Sequence, residues 1–275
     1  MDLKDRLDGF FEERRIFLHA VLPLSDCIVT DAALLEKEAP GARTAILYVL
    51  PYLTGRTEEH NISLYAQSGD YHLLIRKTNG ELADFLQSLL PGASFAGFGD
   101  RSPFDERRTF ASAGLGVLGD NGLLITKRYG SFAFLGEVIT DADPALLGAA
   151  GTSSPAGCLH CGACKSACPT HFEDCASGYS QKKGELTGKE KEAVLKTGLV
   201  WGCDLCQTVC PLNRNAEASP LPFFYEDRVA VLTKARLDAM SRKELRARAF
   251  GWRGRQPLLR NLALFEDAKK EEKKV

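Results

Sequence analysis

The chain has 275 residues, of which 44% are hydrophobic and 26% charged, and its formal net charge is −1. These values are typical of a globular protein with a buried core, and they exclude a polycation and a disordered chain. No apolar run approaches the roughly 18 residues that a membrane span needs, so no membrane partner is expected. The charged segment MDLKDRLDGFFEERRIF lacks the apolar stretch of a secretory signal. We therefore expect a cytoplasmic protein whose thiols stay reduced.

The first hundred residues alternate between helix-like and strand-like patterns. Apolar residues at helical spacing predict a helix over residues 3–20, and DAALLEKEA (31–39) predicts a second one. The β-branched and aromatic run 44–53 predicts a buried strand. A long helix follows over about 71–90, and 94–99 is a short strand candidate.

The following segment continues this alternation. RSPFDERRTFASAGL (101–115) predicts a turn and then a helix, with a proline near the helix start. GLLITKRYGSFAFLGEVIT (122–140) predicts a β-hairpin whose two strands are joined through Lys127–Gly130. Alternating strands and helices indicate an α/β or α+β domain over residues 1–145.

The rest of the chain divides by composition. Residues 141–157 are rich in Ala, Gly, Ser and Pro, which predicts a linker into a cysteine-rich domain over 146–215. A basic helical segment over 216–275 follows, and its end, FEDAKKEEKKV, is expected to be a solvated, frayed tail. Residues 228–260 carry ten Lys or Arg against two Asp or Glu, a net charge of +8. That charge fits a footprint for a phosphate backbone as well as a solvated helical face.

Eight of the nine cysteines fall within one window of 53 residues. Cys158–Pro169 reads C-x2-C-x2-C-x3-C-P, Cys203–Pro211 reads C-x2-C-x3-C-P, and Cys175 lies between them. Zinc ribbons also use C-x2-C pairs, but they keep two pairs apart and need no third cysteine at the next gap. The first run and its closing proline match the bacterial iron–sulfur spacing. Two [4Fe–4S] clusters are therefore favoured over zinc, disulfides or inert thiols, whereas Cys27 is expected to be a buried apolar residue.

The spacing also divides the ligands between the two clusters. In two-cluster proteins the fourth cysteine of the run binds the other cluster. Aligning the second run on its closing Cys-Pro leaves one ligand position at Val200, and Cys175 is the cysteine left to replace it. The expected sets are Cys158, Cys161, Cys164 and Cys210 for the first cluster, and Cys168, Cys175, Cys203 and Cys206 for the second. Because each set spans both runs, this domain should not fold without its metal.

A glycine-rich stretch precedes the cysteines. Gly114, Gly116 and Gly119 satisfy the pattern G-x-G-x-x-G. A dinucleotide-binding fingerprint follows a strand and opens a helix. Here a helix-like segment precedes the glycines and a strand-like segment follows them. We therefore favour a glycine-lined loop that lets a flat cofactor approach the backbone.

Several polar residues are candidates for chemistry, and each has a purely structural alternative. Asp100, between a short strand and the glycine loop, is a candidate general acid or base, or else a turn or capping residue. Asp70 and His72 lie at a helix start, where Asp70 could be a cap and His72 a surface residue. His160 and His171 lie near the cysteines and could tune cluster potentials or face solvent.

Motifs along most of the chain resemble those of the epoxyqueuosine reductase family, cobalamin-dependent enzymes that complete the queuosine nucleoside in tRNA. The most specific is the pattern D-x-x-P…ER…AGLG-x-x-G-x-N, which runs from Asp100 to Asn121. The matching stretches are PGARTAILYVLPY, YAQSGDYHLLIRK, GDRSPFDERRTFASAGLGVLGDNGLLI, GSFAFLGEVITD, CGACKSACPT, CASGYSQKKGEL, GCDLCQTVCPLN and SRKELRARAF…LLRNLAL. The family also has a cluster ligand at the position of Cys175.

The resemblance implies a fold and a set of partners. It implies an α+β chain in which an N-terminal α/β domain binds base-off cobalamin. A bacterial ferredoxin-like domain with two [4Fe–4S] clusters and a short basic helical tail would follow. An external low-potential donor would send electrons through the clusters to the cobalamin. The substrate would be epoxyqueuosine in tRNA, held in part by residues 228–260, and the protein is expected to be a monomer.

The resemblance also assigns roles to individual residues. Asp100 takes the place of the acid that protonates the opening epoxide. Asp70, Tyr71 and His72 match the segment near the corrin and the substrate. The loop residues that match the cobalamin-lining backbone are Gly114, Gly116, Gly119 and Asn121.

The sequence departs from the family pattern in several places. The connection before the Pro40–Gly41 turn and the loop between Cys168 and Cys175 are short, and Asp120 stands where the family usually has lysine. No stretch matches the helical repeats that close the longer members. Two other functions therefore stay open. One is a related corrinoid iron–sulfur reductase of a small molecule, similar to the reductive dehalogenases. The other is an electron carrier whose N-terminal domain docks a partner.

Overall fold

A computed structural model describes residues 2–55, 59–149 and 157–273, so residues 150–156 of the predicted linker lie outside the described residues. The chain forms two compact units. The first contains Met1–Tyr52, Tyr71–His160 and Asn215–Leu221, and the second contains Leu53–Asp70, Cys161–Arg214 and Pro222–Val275. The division into segments 1–145, 146–215 and 216–275 stays a prediction.

The first unit is a mixed α/β structure. Its elements are α1 (Leu3–Glu13), β1 (His19–Pro23), α2 (Ala32–Glu38), β2 (Thr44–Pro51), α3 (Tyr71–Leu89), β3 (Phe95–Phe98), α4 (Glu106–Ser112), β4 (Val117–Leu118), β5 (Leu124–Ile125) and β6 (Ala133–Thr140). Four strands form one sheet in the order β1-β2-β6-β3, and β4 and β5 form a separate ribbon. All strand pairs are antiparallel. The predicted mixed α and β class is thus confirmed.

Strand β2 forms the centre of the first unit and is buried along its whole length. The predicted strand is confirmed, and its apolar run is explained by the cover on both of its faces. On one face, the Phe11 ring of α1 lies 5.8 Å from the Tyr48 ring. The Tyr48 hydroxyl donates to Asn79 Oδ1 of α3 at 2.7 Å. On the other face, Leu47 belongs to the same apolar cluster as Phe110 of α4.

The predicted hairpin over residues 122–140 is wrong. Strand β5 pairs with β4, and β6 pairs instead with β2 and β3. The turn itself is present, because Thr126 and Gly130 exchange two backbone hydrogen bonds of 2.9 and 3.0 Å. The chain then enters the central sheet, where β6 lies between β2 and β3 and its second half, residues 136–140, is buried.

The second unit contains helices. They are α5 (Ala163–Ala167), α6 (Ala176–Gln181), α7 (Gly188–Thr197), α8 (Leu205–Thr208), α9 (Lys234–Ala239), α10 (Arg242–Arg246) and α11 (Arg255–Glu272). Local sequence sets several helix ends. Thr187 and Glu190 form a reciprocal capping box at the start of α7, and Gly198 ends it in the left-handed conformation. Across the described residues, no helix has both the length and the apolar content needed to cross a membrane.

Other predicted helices have different limits from those expected. Helix α1 ends at Glu13 rather than near residue 20, because Arg15 takes a left-handed φ of 57° and the chain enters β1. The basic segment is divided among α9, α10 and the first part of α11. The prediction that the segment FEDAKKEEKKV is frayed is wrong for its described residues, because α11 continues to Glu272. The helices predicted within 31–39 and over 71–90 are confirmed.

Candidate functional site

Asp100 lies just beyond the end of β3 and collects two side-chain contacts on one oxygen. The Tyr71 hydroxyl donates to Asp100 Oδ2. His72 Nε2 lies 3.0 Å from the same oxygen. The Asp100 backbone has a left-handed φ of 63°, which is uncommon for a residue other than glycine. About half of the Asp100 side chain is exposed, at 52%. The structure therefore brings together three of the residues that the sequence singled out.

The first turn of α3 positions the two partners of Asp100. Tyr71 is the first residue of this helix, and its ring stacks on Phe134 of β6 at 3.7 Å between ring centres. The His72 ring stacks on Tyr71 at 4.2 Å. This row of rings joins the start of the helix to the sheet. It holds both donors in place beside the carboxylate of Asp100.

A pocket of about 190 Å³ adjoins Asp100 within the first unit. Its wall is mainly apolar and contains two further charged residues. The lining residues are Asp100, Glu106, Arg107, Leu123, Leu124, Ser131, Ala133, Phe134 and Leu135. The pocket thus combines an apolar wall with a half-exposed carboxylate, an arrangement typical of small-molecule and cofactor sites.

Two buried carboxyl groups near this pocket were not singled out in the sequence. Burial, and to a smaller extent the charge of Asp100, raises the pKa of Glu106 to about 7. Burial also raises the pKa of Glu137, with a contribution from the charge of Glu106, to about 8. The Ser102 hydroxyl donates to Glu137 Oε1. One signal was available for Glu137, since an acid in the apolar strand FLGEVIT is unusual.

The glycine run has a steric explanation within the ribbon of β4 and β5. A side chain at Gly116 would place its Cβ 2.7 Å from the carbonyl oxygen of Ile125. At Gly119 the Cβ would lie 2.6 Å from Asn121 Oδ1. Gly114 adopts a left-handed φ of 78°. The three glycines thus meet the needs of the local backbone, and their role in lining a cofactor stays a prediction. Asn121 Nδ2 is buried and has no hydrogen-bond partner among the described residues.

Asp70 belongs to the second compact unit, whereas Tyr71 begins the segment that belongs to the first. The backbone N–H of Asp70 donates to the carbonyl oxygen of Ala247 at 2.8 Å. The predicted role of Asp70 near a cofactor therefore stays a prediction.

The nine cysteines all lie among the described residues, and they form no disulfide bond with one another. In the second unit, α5 packs against α8, which brings together the helices that carry Cys164 and Cys206. Burial, together with the charges of Cys206 and Cys175, raises the pKa of Cys203 to about 12. Cys175 is therefore close enough to Cys203 to affect its ionisation. These contacts support the inclusion of Cys175 with the cysteines of the second run.

Cys168 and Cys27 differ in their surroundings. Burial raises the pKa of Cys168, but hydrogen bonds with Thr170, Phe172 and His171 outweigh it and lower the pKa overall. Cys27 packs against the core of the first unit while staying only partly buried. Burial raises the pKa of Cys27 to about 12, which makes it a poor thiolate.

The expected cluster ligand Cys158 lies near a carboxylate and an imidazole. His160 Nδ1 is 2.8 Å from Asp120 Oδ1. The ligand atoms of Asp120, Cys158 and His160 all lie within 4.8 Å of one another, so this group could hold a metal ion. The predicted influence of His160 on a cluster stays a prediction. His171 is exposed and has a left-handed backbone conformation, and its predicted influence on a cluster also stays a prediction.

Several cations of residues 228–260 bind backbone carbonyl groups of the second unit. Arg255 donates to Leu237 and Met240 at the end of α9. Arg260 donates to four carbonyl oxygens near the end of α6, those of Tyr179, Ser180, Lys182 and Gly184. These arginines lie at the negative ends of helices, where the helix dipole favours a positive charge. Their guanidinium groups are therefore engaged within the second unit and are not free to donate to a partner.

Comparison with known proteins gives a consistent result. Residues 34–100 match the family described as epoxyqueuosine reductase QueG, DUF1730. An epoxyqueuosine reductase of Bacillus subtilis is 30% identical over 97% of this chain and 73% of its own length. That of Gloeobacter violaceus is 35% identical over 66% of this chain and 60% of its own length. That of Lactococcus garvieae is 33% identical, and the match covers 57% of its length. The chain thus spans somewhat over half the length of the last two relatives.

Solved structures show the same fold. An epoxyqueuosine reductase from Streptococcus thermophilus is 23% identical and superposes with a TM-score of 0.78 over 96% of this chain and 80% of that one. An epoxyqueuosine reductase with an epoxyqueuosine-modified tRNA-Tyr stem loop is 22% identical, with a TM-score of 0.76 over 96% and 81% of the two chains.

Proposed function

Because the chain belongs to the epoxyqueuosine reductase family, we propose that it reduces epoxyqueuosine to queuosine in tRNA. The observation that carries this proposal is the group formed by Asp100, Tyr71 and His72 beside an apolar pocket. All three residues lie within the segment that matches the family. A Bacillus subtilis epoxyqueuosine reductase has been solved with an aspartate-bearing catalytic loop swung out of its active site. That relative supports a catalytic role for an aspartate on a loop.

In this proposal Asp100 is the general acid. It donates a proton to the epoxide oxygen as the carbon–oxygen bond breaks; with a second proton and two electrons from the external donor, the resulting hydroxyl leaves as water. Tyr71 and His72 hold the carboxyl group in position through their contacts with Oδ2. The half-exposed position of Asp100 leaves it accessible to a substrate as large as a tRNA loop. A positioned acid of this kind typically contributes about 10²–10⁴-fold to a rate.

The thiols fit two [4Fe–4S] clusters, because eight cysteines outside any disulfide bond are present and both Cys175 and Cys206 lie near Cys203. The fit to cobalamin is supported by the apolar wall of the pocket and by the buried, unsatisfied Nδ2 of Asn121. When bound, the clusters would carry single electrons and the cobalamin would supply the reducing centre. The first-unit residues would position the substrate and deliver protons.

The proposed partners are tRNA and an external one-electron donor of low potential. The solved relative with a modified tRNA stem loop supports tRNA as the substrate. Arg242, Lys243 and Arg246 of α10 are candidates for phosphate contacts, because they are exposed. Arg253, stacked on the exposed Trp252 at 3.8 Å, forms a further cationic and aromatic surface. Such surfaces suit single-stranded nucleic acid.

The test is an assay of the purified protein with its cofactors. The protein is isolated without oxygen, its clusters and cobalamin are reconstituted, and epoxyqueuosine-containing tRNA is supplied with a chemical reductant. We expect queuosine to form, and Asp100→Asn to reduce the rate by about 10²–10⁴-fold. Asp84→Asn, an exposed acid on α3, is the matched control and should keep the parent rate.

Other outcomes would change the assignment. Failure to bind cobalamin would contradict the proposal and favour an electron carrier. Cobalamin binding without turnover of the tRNA would favour a corrinoid reductase that acts on a small molecule. Equal rates for the parent and Asp100→Asn would remove Asp100 from the role of the acid.

A further inference from the structure

A second carboxyl group lies in the wall of the pocket beside Asp100. Glu106, the first residue of α4, lines the same pocket as Asp100. The backbone N–H of Asp100 donates to the Glu106 carboxyl group. Glu106 Oε1 is shielded from solvent and has no hydrogen-bond partner among the described residues. A carboxyl oxygen in this situation is more stable when the group carries a proton.

The proposed reaction needs more protons than Asp100 carries. Conversion of an epoxide to an alkene and water consumes two electrons and two protons. The electrons come from the external one-electron donor of the proposed function. One proton converts the epoxide oxygen to a hydroxyl, and the second lets that hydroxyl leave as water. A single aspartic acid supplies one proton, so a covered site needs a second source within reach of Asp100.

The charged surroundings of Glu106 favour a stored proton. Asp100 and Asp105 raise the pKa of Glu106, and Arg107 lowers it, while burial has the largest effect. Behind it, the buried Glu137 faces Glu106, Ser102, Cys27 and Tyr48. Burial also raises the pKa of Glu137 to about 8, so this neighbour is mainly neutral at pH 7, and where it ionises its negative charge would raise the pKa of Glu106 further. His72 also touches Asp100, but it is 38% exposed and can exchange its proton with solvent.

We propose that Glu106 is the second proton source of this site: it returns a proton to Asp100, so that one turnover can consume two. This inference rests on the proposed function, because it is the reduction of an epoxide to an alkene that requires the second proton. Glu106 acts through Asp100 and is therefore a positioning and proton-supplying residue. In the transfer, the Glu106 O–H bond breaks, an Asp100 O–H bond forms, and Glu106 later regains a proton from solvent.

The first test needs no substrate. Infrared spectra of the cluster-containing protein are recorded across a pH titration for the parent and for Glu106→Gln. The parent should show a carboxylic acid band, missing in the variant, that disappears as the pH rises through about 7. Glu12→Gln, an exposed acid on α1, is the control and should leave this band unchanged. A Glu106 carboxyl that ionises near its ordinary pKa of 4.5 would overturn the inference.

The second test is turnover. Glu106→Gln should lower the multiple-turnover rate toward the lower end of the 10²–10⁴-fold range for proton transfer, with little change in KM. The parent rate should fall as the pH rises through about 7, and this decline should be absent in Glu106→Gln. Glu106→Asp, which keeps an ionisable proton, should recover part of the rate. A purely structural role for Glu106 would predict no change in the pH profile.

The outcomes separate the inference from the function on which it rests. A parent protein that does not reduce epoxyqueuosine in tRNA would refute the proposed function and remove the need for a second proton. A parent that turns over normally while Glu106→Gln keeps the same rate and pH profile would refute the role of Glu106 alone.

Discussion

Replacement of Glu137 by glutamine should remove a strong pH dependence from the stability of the first unit. Glu137 is fully buried on β6, and burial together with the charge of Glu106 raises its pKa to about 8 from its ordinary 4.5. Between these values the folded protein holds a proton that the unfolded chain releases. Stability should therefore fall as the pH rises from about 4.5 to about 8, and it should be level above that range.

The size of this effect follows from the pKa difference. A rise from 4.5 to about 8 corresponds to roughly 5 kcal/mol. Relaxation around an ionised Glu137 would reduce the measured loss to about 2–5 kcal/mol. Glu137→Gln keeps an oxygen that can accept from Ser102 and cannot ionise. The variant should match the parent at about pH 5 and be more stable than the parent by this amount at about pH 9.

Amide hydrogen exchange in β2 and β6 provides the measurement, since it reports the opening of the sheet that contains Glu137. At each pH the parent and the variant are compared directly, so the intrinsic exchange rates cancel. Glu12→Gln, at an exposed position of α1, should give a curve parallel to the parent. If Glu137→Gln also runs parallel to the parent between about pH 5 and pH 9, Glu137 does not carry the shifted pKa and the reasoning is refuted.

Three further predictions concern cluster content and packing. Cys175→Ala should lower the iron content from about eight to about four per chain, and an unchanged iron analysis would exclude Cys175 as a ligand. Gly116→Ala puts a Cβ 2.7 Å from a carbonyl oxygen across the ribbon. The free energy of unfolding, measured by thermal unfolding, should therefore fall by about 1–3 kcal/mol. Gly9→Ala, where a Cβ meets nothing within 4 Å, should show no loss. Tyr48→Phe removes the hydroxyl that donates to Asn79 Oδ1 at 2.7 Å. The free energy of unfolding in urea should therefore fall by about 1–3 kcal/mol.

The elements predicted best from the sequence are those in which one pattern dominates. The strand Thr44–Pro51 is a continuous β-branched and aromatic run, because both of its faces are buried. The helix Tyr71–Leu89 repeats its apolar residues at helical spacing, and its buried face, which contains Ile75, Leu82 and Leu86, also includes the polar Thr78 and Asn79. Local composition and tertiary burial agree in both cases. The partner of β6, by contrast, depends on a long-range choice among strands that local turn chemistry does not reveal.

The candidate site was predictable to the extent that its chemistry has a local signature. The cysteine spacing identifies a cluster-binding segment because the ligands must converge within a few residues. The motif resemblance identified Asp100, Tyr71 and His72, which the fold brings into contact. Glu106 and Glu137 were missed because their chemistry arises from burial, and burial depends on residues distant in the chain. A single acid in an apolar strand was the one local indication.

The glycine run shows why a motif alone does not establish a cofactor. Gly114, Gly116 and Gly119 are explained by a left-handed backbone and by close approaches within the β4–β5 ribbon, so the packing of the protein alone accounts for these glycines. The case for a cofactor beside Asp100 therefore depends on the apolar pocket and on the unsatisfied Asn121 amide. Substitution of Asn121 separates the two explanations. Asn121→Asp would keep an oxygen that accepts from the Leu123 N–H and would remove the Nδ2 donor, so it should weaken cobalamin binding while the ribbon stays folded.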